Sequence, residues 1–138
     1  MKSFPLKIVT PDGLQFEGEA EELVVRTLTG DAGILAGHLN YVAPLGMGRA
    51  VIQTDGKKRY AACIGGMLTV MDGEVNLVPT TFEWADEIDV DRAQYAAERA
   101  RQLLNTLNSR HASKRELRLA EARLRRALVR RSIVENKQ

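Results

Sequence analysis

The sequence predicts an α+β chain, with an N-terminal antiparallel β-sandwich over residues 1–84 and a C-terminal antiparallel two-helix hairpin over residues 85–138. Short alternating runs separated by Asp-Gly turns fill the first part, and apolar residues at three- and four-residue spacing fill the second. The charge changes sign where the pattern changes. Residues 1–84 carry 7 Lys and Arg against 10 Asp and Glu, while residues 85–138 carry 13 against 8.

Phe4, Leu6 and Ile8 alternate with Pro5 and Lys7, as in a strand with one buried face. Pro11-Asp12-Gly13 turns the chain. Leu14–Glu17 and Ala20–Leu28 are the next strand candidates, divided at Gly18. Asp55-Gly56 lies between Arg49–Gln53 and Lys58–Cys63, and Asp72-Gly73 lies between Met67–Met71 and Glu74–Val78. Each pair is a good signal for a two-residue hairpin turn. Aromatic residues make up 5% of the chain, so the core is expected to be aliphatic and thin. The glycine-rich stretch from Thr29 to His38 lacks the lysine and the strand-to-helix context of a phosphate loop, and reads as a turn-rich β connection.

Cys63 stands alone, which excludes an internal disulfide, and its apolar neighbours mark a buried spacer. His38 has no ligand-like neighbour and His111 lies far off in a helical loop, so no metal site is expected. No Ser-His-Asp order or acid pair stands out, so no catalytic residue is expected either. No apolar run is long enough to span a bilayer, and the first residues lack the apolar core of a signal peptide. The expectation is a soluble, intracellular chain without direct membrane insertion, compatible with membership of a membrane-bound complex.

In the second part Asp89 is a natural N-cap, able to accept from the backbone N–H of Asp91 or Arg92. From Val90 onward, Ala93, Ala96, Ala97, Ala100, Leu103, Leu104 and Leu107 form an apolar stripe whose small residues permit close helix approach. Ser113 and Glu116 form a capping box for a second helix, with the stripe Leu117, Ala120, Leu124, Ala127 and Leu128. The short link favours an antiparallel pair.

Of the 13 basic residues here, 11 are Arg, which suits bidentate recognition of phosphate or carboxylate. At about 100° per residue, Arg92 and Arg99 share one flank of the first helix. Arg123, Arg126 and Arg130 share the corresponding flank of the second. Folding the pair antiparallel brings both flanks to one side, with Arg99 across from Arg123 and Arg92 across from Arg130. Arg101, Arg118 and Arg125 point away. One reading is a solvated face trimmed by Asp91 and Glu98. The other is an anion, such as a triphosphate, that bridges the helices and favours the closed state.

Four stretches, in this order and spacing, resemble the epsilon subunit of bacterial rotary ATP synthase over essentially the whole chain. They are Thr10–Gly13, Gly30–His38, Gly65–Val70 and Ile88-Asp89-Val90-Asp91-Arg92-Ala93. Ala32 and Ala36 depart from the larger apolar residue and the proline usual there. The resemblance implies a non-catalytic central-stalk subunit beside gamma and the c-ring, peripheral on the cytoplasmic face of the membrane. Its mobile hairpin would reach the alpha/beta catalytic head and inhibit ATP hydrolysis. It also implies that the folded hairpin binds ATP, with or without magnesium, as a regulatory ligand. Ile88 and Ala93 would contact adenine, Asp89 and Arg92 would form the polar core of the site, and Glu83 and Arg99 would add further contacts. Arg126 and Arg130 are the best matches on the second helix, and Arg123 enters from the helix geometry. The alternatives are an inhibitory tail that does not sense ATP and a basic nucleic-acid-binding module. The second is disfavoured because Tyr95 is the tail's one aromatic residue for base stacking.

Overall fold

The computed structural model describes residues 2–135. Ten strands form two five-stranded sheets, and two helices follow. The strands are β1 (Phe4–Thr10), β2 (Gly13–Ala20), β3 (Glu22–Thr27), β4 (Gly30–Leu35), β5 (Tyr41–Pro44), β6 (Met47–Thr54), β7 (Lys57–Ile64), β8 (Met67–Met71), β9 (Glu74–Val78) and β10 (Thr81–Trp84). One sheet has the order β2-β1-β9-β8-β5 and the other β10-β7-β6-β3-β4. All pairings are antiparallel except β1 with β9.

Alternation builds the core as expected. Leu6, Ile8, Leu23, Ile34, Ile52, Leu68 and Leu77 meet between the sheets, essentially without solvent contact. The β6–β7 and β8–β9 hairpins turn at Asp55-Gly56 and Asp72-Gly73, with all four residues at positive φ. Cys63 is buried, and loss of hydration for its charged form pushes the thiol pKa up to about 12, so it stays protonated. Three aromatics cluster where Trp84 meets Phe82 at 4.9 Å and Phe16 at 6.4 Å between ring centroids. Arg59 covers the Trp84 ring from 3.6 Å.

Two expectations about the strands needed correction. Gly18 does not break a strand: β2 runs through it to Ala20, and the chain turns at Glu21 instead. The irregularity falls near Gln15, where the β1–β2 register shifts between Ile8 and Val9. The glycine-rich stretch is not merely a connection, because Gly30–Leu35 pairs with β3 as an edge strand. Thr27 makes the preceding turn: its hydroxyl donates to the Gly30 carbonyl at 2.7 Å and accepts from the Thr29 N–H at 3.2 Å.

Strand β7 buries Ala61, Ala62, Cys63 and Ile64 in succession. Ala61 and Cys63 face the sandwich core, whereas Ala62 faces outward under the helices. A strand in an antiparallel sheet that is buried on both faces needs a covering element, and the C-terminal helix supplies it.

A 3₁₀ turn, Ala85–Glu87, leads to α1 (Val90–Ser109) and α2 (Lys114–Glu135). The Asp89 carboxylate accepts the Arg92 N–H at 3.1 Å, a cap of the kind that contributes about 1 kcal/mol. His111 at φ 53° ends α1 in the left-handed region, and the Ser113 hydroxyl accepts the Glu116 N–H at 3.2 Å. The Glu116 carboxylate lies 3.9 Å from Arg110.

The helices pack through small residues: Ala93, Ala97 and Ala100 on α1, with Ala120 and Ala127 on α2, are buried. Ala96 and Leu103, expected in the seam, are exposed instead. The pair docks on the sandwich through a small apolar patch. Ile133, 1% exposed, meets Ala62 and Ala85, with Tyr60, Ile88 and Val129 around it.

Candidate functional site

Between the helices and the end of the sandwich lie two adjoining cavities. The first, of about 550 Å³, sits at the junction and is lined by Asp12, Thr80, Thr81, Phe82, Glu83, Glu87, Ile88, Asp89, Arg92, Ala93, Ala96, Ala127 and Arg130. The second, of about 560 Å³, runs along the hairpin and is lined by Arg92, Tyr95, Ala96, Arg99, Ala100, Leu103, Arg123, Arg126, Ala127 and Arg130. Arg92, Ala96, Ala127 and Arg130 border both, so the two form one groove.

Each wall has a local cause. The cap at Asp89 fixes the first turn of α1, which places Ile88, Arg92 and Ala93 at the junction. Seven residues is close to two helical turns, so Arg99 follows Arg92 along the same flank. Arg123, Arg126 and Arg130 recur at three and four residues on α2 and therefore share a flank too. Ala96 and Ala127 line both cavities where they join. Their small side chains leave room that a leucine would fill.

All nine residues singled out from the sequence line this groove: Glu83, Ile88, Asp89, Arg92, Ala93, Arg99, Arg123, Arg126 and Arg130. Glu83 on β10 reaches Arg130 Nε on α2 at 2.6 Å, tying the sandwich to the last turns of the second helix. Both side chains are about one-third exposed, so solvent screening holds the net contribution to about 1 kcal/mol or less. The Arg99 guanidinium lies 5.7 Å from the Tyr95 ring centroid.

Sequence reasoning missed Asp12, Thr80, Thr81, Phe82, Glu87 and Tyr95 as lining residues. Tyr95 was open to discovery, since it sits three residues after Arg92 and four before Arg99. Asp12 comes from the β1–β2 turn and Thr80 from the β9–β10 link, and no spacing connects either to the helices. Among the described residues no group of His, Cys, Asp and Glu is placed to hold a metal ion. His38 Nδ1 lies 2.7 Å from the Leu39 carbonyl oxygen, and His111 sits in the turn between the helices.

Fold and groove define a two-part chain: a β-sandwich with a docked helical arm, and a guanidinium-lined groove that exists where the two meet. Residues 3–85 match the family described as ATP synthase, Delta/Epsilon chain, beta-sandwich domain, and residues 86–135 match its long alpha-helix domain. The chain belongs to the ATP synthase delta/epsilon family. It is 40% identical to an ATP synthase epsilon chain of Ruminococcus albus, spanning 99% of this chain and 100% of that one. It is 38% identical to the ATP synthase epsilon chain of Bacillus pumilus, spanning 94% and 95%. A chain of the Euglena gracilis mitochondrial ATP synthase shares the fold, with a TM-score of 0.82 at 23% identity, covering 96% of this chain and 81% of that one.

Proposed function

We propose that this chain is the epsilon subunit of the central stalk of a proton- or sodium-translocating ATP synthase. It couples the gamma subunit and c-ring to the alpha/beta catalytic head. Its helical arm restrains ATP hydrolysis and, when folded down, binds ATP. The subunit performs no catalysis and works at the cytoplasmic face of the membrane as a peripheral component. No helix among the described residues is long and apolar enough to cross a membrane.

The observation that carries the ATP reading is the composition of the groove along its length. At the junction, Ile88, Phe82 and Ala93 offer apolar surface beside hydrogen-bonding carboxylates, which suits a base with an exocyclic amine. Along the hairpin, arginines from both helices suit phosphate oxygens. A ligand touching both helices and the sandwich has affinity only for the folded arm, so it shifts the population toward that form. No carboxylate lines the hairpin cavity, so magnesium, where it accompanies ATP, would have phosphate oxygens and water as its ligands there.

Isothermal titration tests the sensing. Arg92→Ala is expected to weaken ATP binding by about tenfold or more, the scale of a lost hydrogen bond to a charged group. Asp89→Ala is expected to weaken it as well, because the cap that orients the first turn of α1 is removed. Equal affinity for wild type and both variants would remove this site from consideration. The alternative is an arm that is blind to ATP: the contacts of Ile133 and the Glu83–Arg130 pair tie it to the sandwich through protein groups alone. Absence of ATP binding by the wild-type chain would select that reading.

The inhibitory role has its own test in the assembled enzyme. Removing the arm after about residue 85 is expected to preserve assembly and raise the rate of ATP hydrolysis. A truncated enzyme that hydrolysed ATP no faster would place the restraint elsewhere.

A further inference from the structure

The groove separates its charges. Its lining carboxylates, Asp12, Glu83, Glu87 and Asp89, all belong to the junction cavity, and none borders the hairpin cavity. The hairpin cavity is lined by five arginines together with Tyr95, Leu103 and three alanines. Arg130 has Glu83 as its partner, whereas Arg92, Arg99, Arg123 and Arg126 have no carboxylate partner among the described residues. Like charges held along one cavity repel one another, and a bound anion offsets that repulsion.

The arrangement is also linear. Arg92 to Arg99 on α1 and Arg123 to Arg130 on α2 each span seven residues, about 10 Å of helix. The two rows run side by side along a cavity of about 560 Å³. Planar guanidinium forks match phosphate oxygens in pairs. We propose that the hairpin cavity binds inorganic polyphosphate, a linear chain of phosphate groups that carries no nucleoside. The proposal deepens the nucleotide reading of the groove and rests on it only at the phosphate end. Ile88 and Ala93 border only the junction cavity, so a nucleoside-free chain forgoes their contacts without losing any arginine. The junction carboxylates repel its advance in that direction. Polyphosphate therefore shares Arg92 and Arg130 with ATP, competes with it, and clamps α1 to α2 in the same way.

The test is isothermal titration of the full chain, without magnesium, against sodium tripolyphosphate, sodium orthophosphate and ATP. One tripolyphosphate per chain is expected, displaced by ATP, with orthophosphate at least about tenfold weaker because it reaches fewer arginines. Combined Arg99→Gln and Arg123→Gln substitution is expected to cost tripolyphosphate at least about tenfold in affinity. Arg101→Gln, at an exposed position bordering neither cavity, is expected to leave it unchanged. ATP binding without tripolyphosphate binding would overturn the proposal and leave the nucleotide site standing. Tripolyphosphate binding without ATP binding would do the reverse. The proposal also falls if tripolyphosphate binds the double variant as tightly as wild type, if ATP binds yet fails to displace it, or if Arg101→Gln weakens it as much. Binding of neither ligand overturns both readings.

Discussion

Gly66→Ala is expected to lower the unfolding free energy of the sandwich by about 2–5 kcal/mol, combining a left-handed backbone penalty with overpacking. The position is a crossover. Strand β7 belongs to one sheet and β8 to the other, and the chain passes between them at Gly65-Gly66. The return crossing, from β9 to β10, runs through Val78–Thr80. The two crossings touch at backbone level. A Cβ on Gly66 would press into the Val78 carbonyl and meet Pro79 Cα at 2.6 Å, and φ at Gly66 is already +91°. Neither obstacle is the flexible end of a side chain, so the crossings must separate. Gly73→Ala is the control: its φ of +83° carries the same backbone penalty, but nothing lies within 4 Å of its added carbon. Urea denaturation should show a large fall in midpoint for Gly66→Ala and a small one for Gly73→Ala, each with unchanged slope. Equal losses at the two positions would mean that the close approach carries no energy. The return crossing also leads directly into Thr80, Thr81, Phe82 and Glu83 of the junction cavity, so its displacement would disturb that wall too.

What was legible in the sequence follows from the range over which each signal acts. Helix faces were legible because a period of 3.6 residues places residues within one element. Arg92 with Arg99, and Arg123 with Arg126 and Arg130, needed nothing further to be assigned to flanks. Asp89 and Ser113 were legible as caps because they act within three residues. The hairpin turns were legible because Asp-Gly specifies its own backbone. The stripe was less reliable at its edge. Ala96 and Leu103 fit the helical period, yet they border the groove, because the helices meet over a narrower seam than the stripe allows. Strand β4 was hidden by Gly30 and Gly33, which remove the alternation that marks a strand. Asp12 and Thr80 were out of reach altogether, since two loops bring them to the junction and no local pattern encodes that meeting. Docking of the arm left one trace: the unbroken apolar run from Ala61 to Ile64 on β7, which is buried on both faces.

That docking gives the second large effect. Ile133→Ala is expected to weaken ATP binding on the order of tenfold, although Ile133 borders neither cavity. Ile133 is the large, fully buried side chain in the patch that joins α2 to the sandwich, and Ala62 and Ala85 opposite it are too small to fill the space it would leave. Truncation of a buried isoleucine costs about 2–5 kcal/mol in a well-packed core, and a small patch places this site near the lower end. The Glu83–Arg130 pair cannot compensate, since a pair one-third exposed contributes about 1 kcal/mol or less. The groove needs Glu83, Ile88 and Arg130 together, so ligand affinity scales with the fraction of chains whose arm is down. A loss of about 2 kcal/mol from a docking equilibrium near balance lowers that fraction by more than tenfold. Where docking is stronger, the same loss shows first as faster amide hydrogen exchange in the last turns of α2. Ile133→Val, which keeps most of the contact, should behave nearly as wild type in both measurements. Unchanged ATP affinity together with unchanged exchange in Ile133→Ala would show that the arm is held by something other than this patch. Faster exchange at undiminished ATP affinity would show instead that the ligand does not require the docked arm.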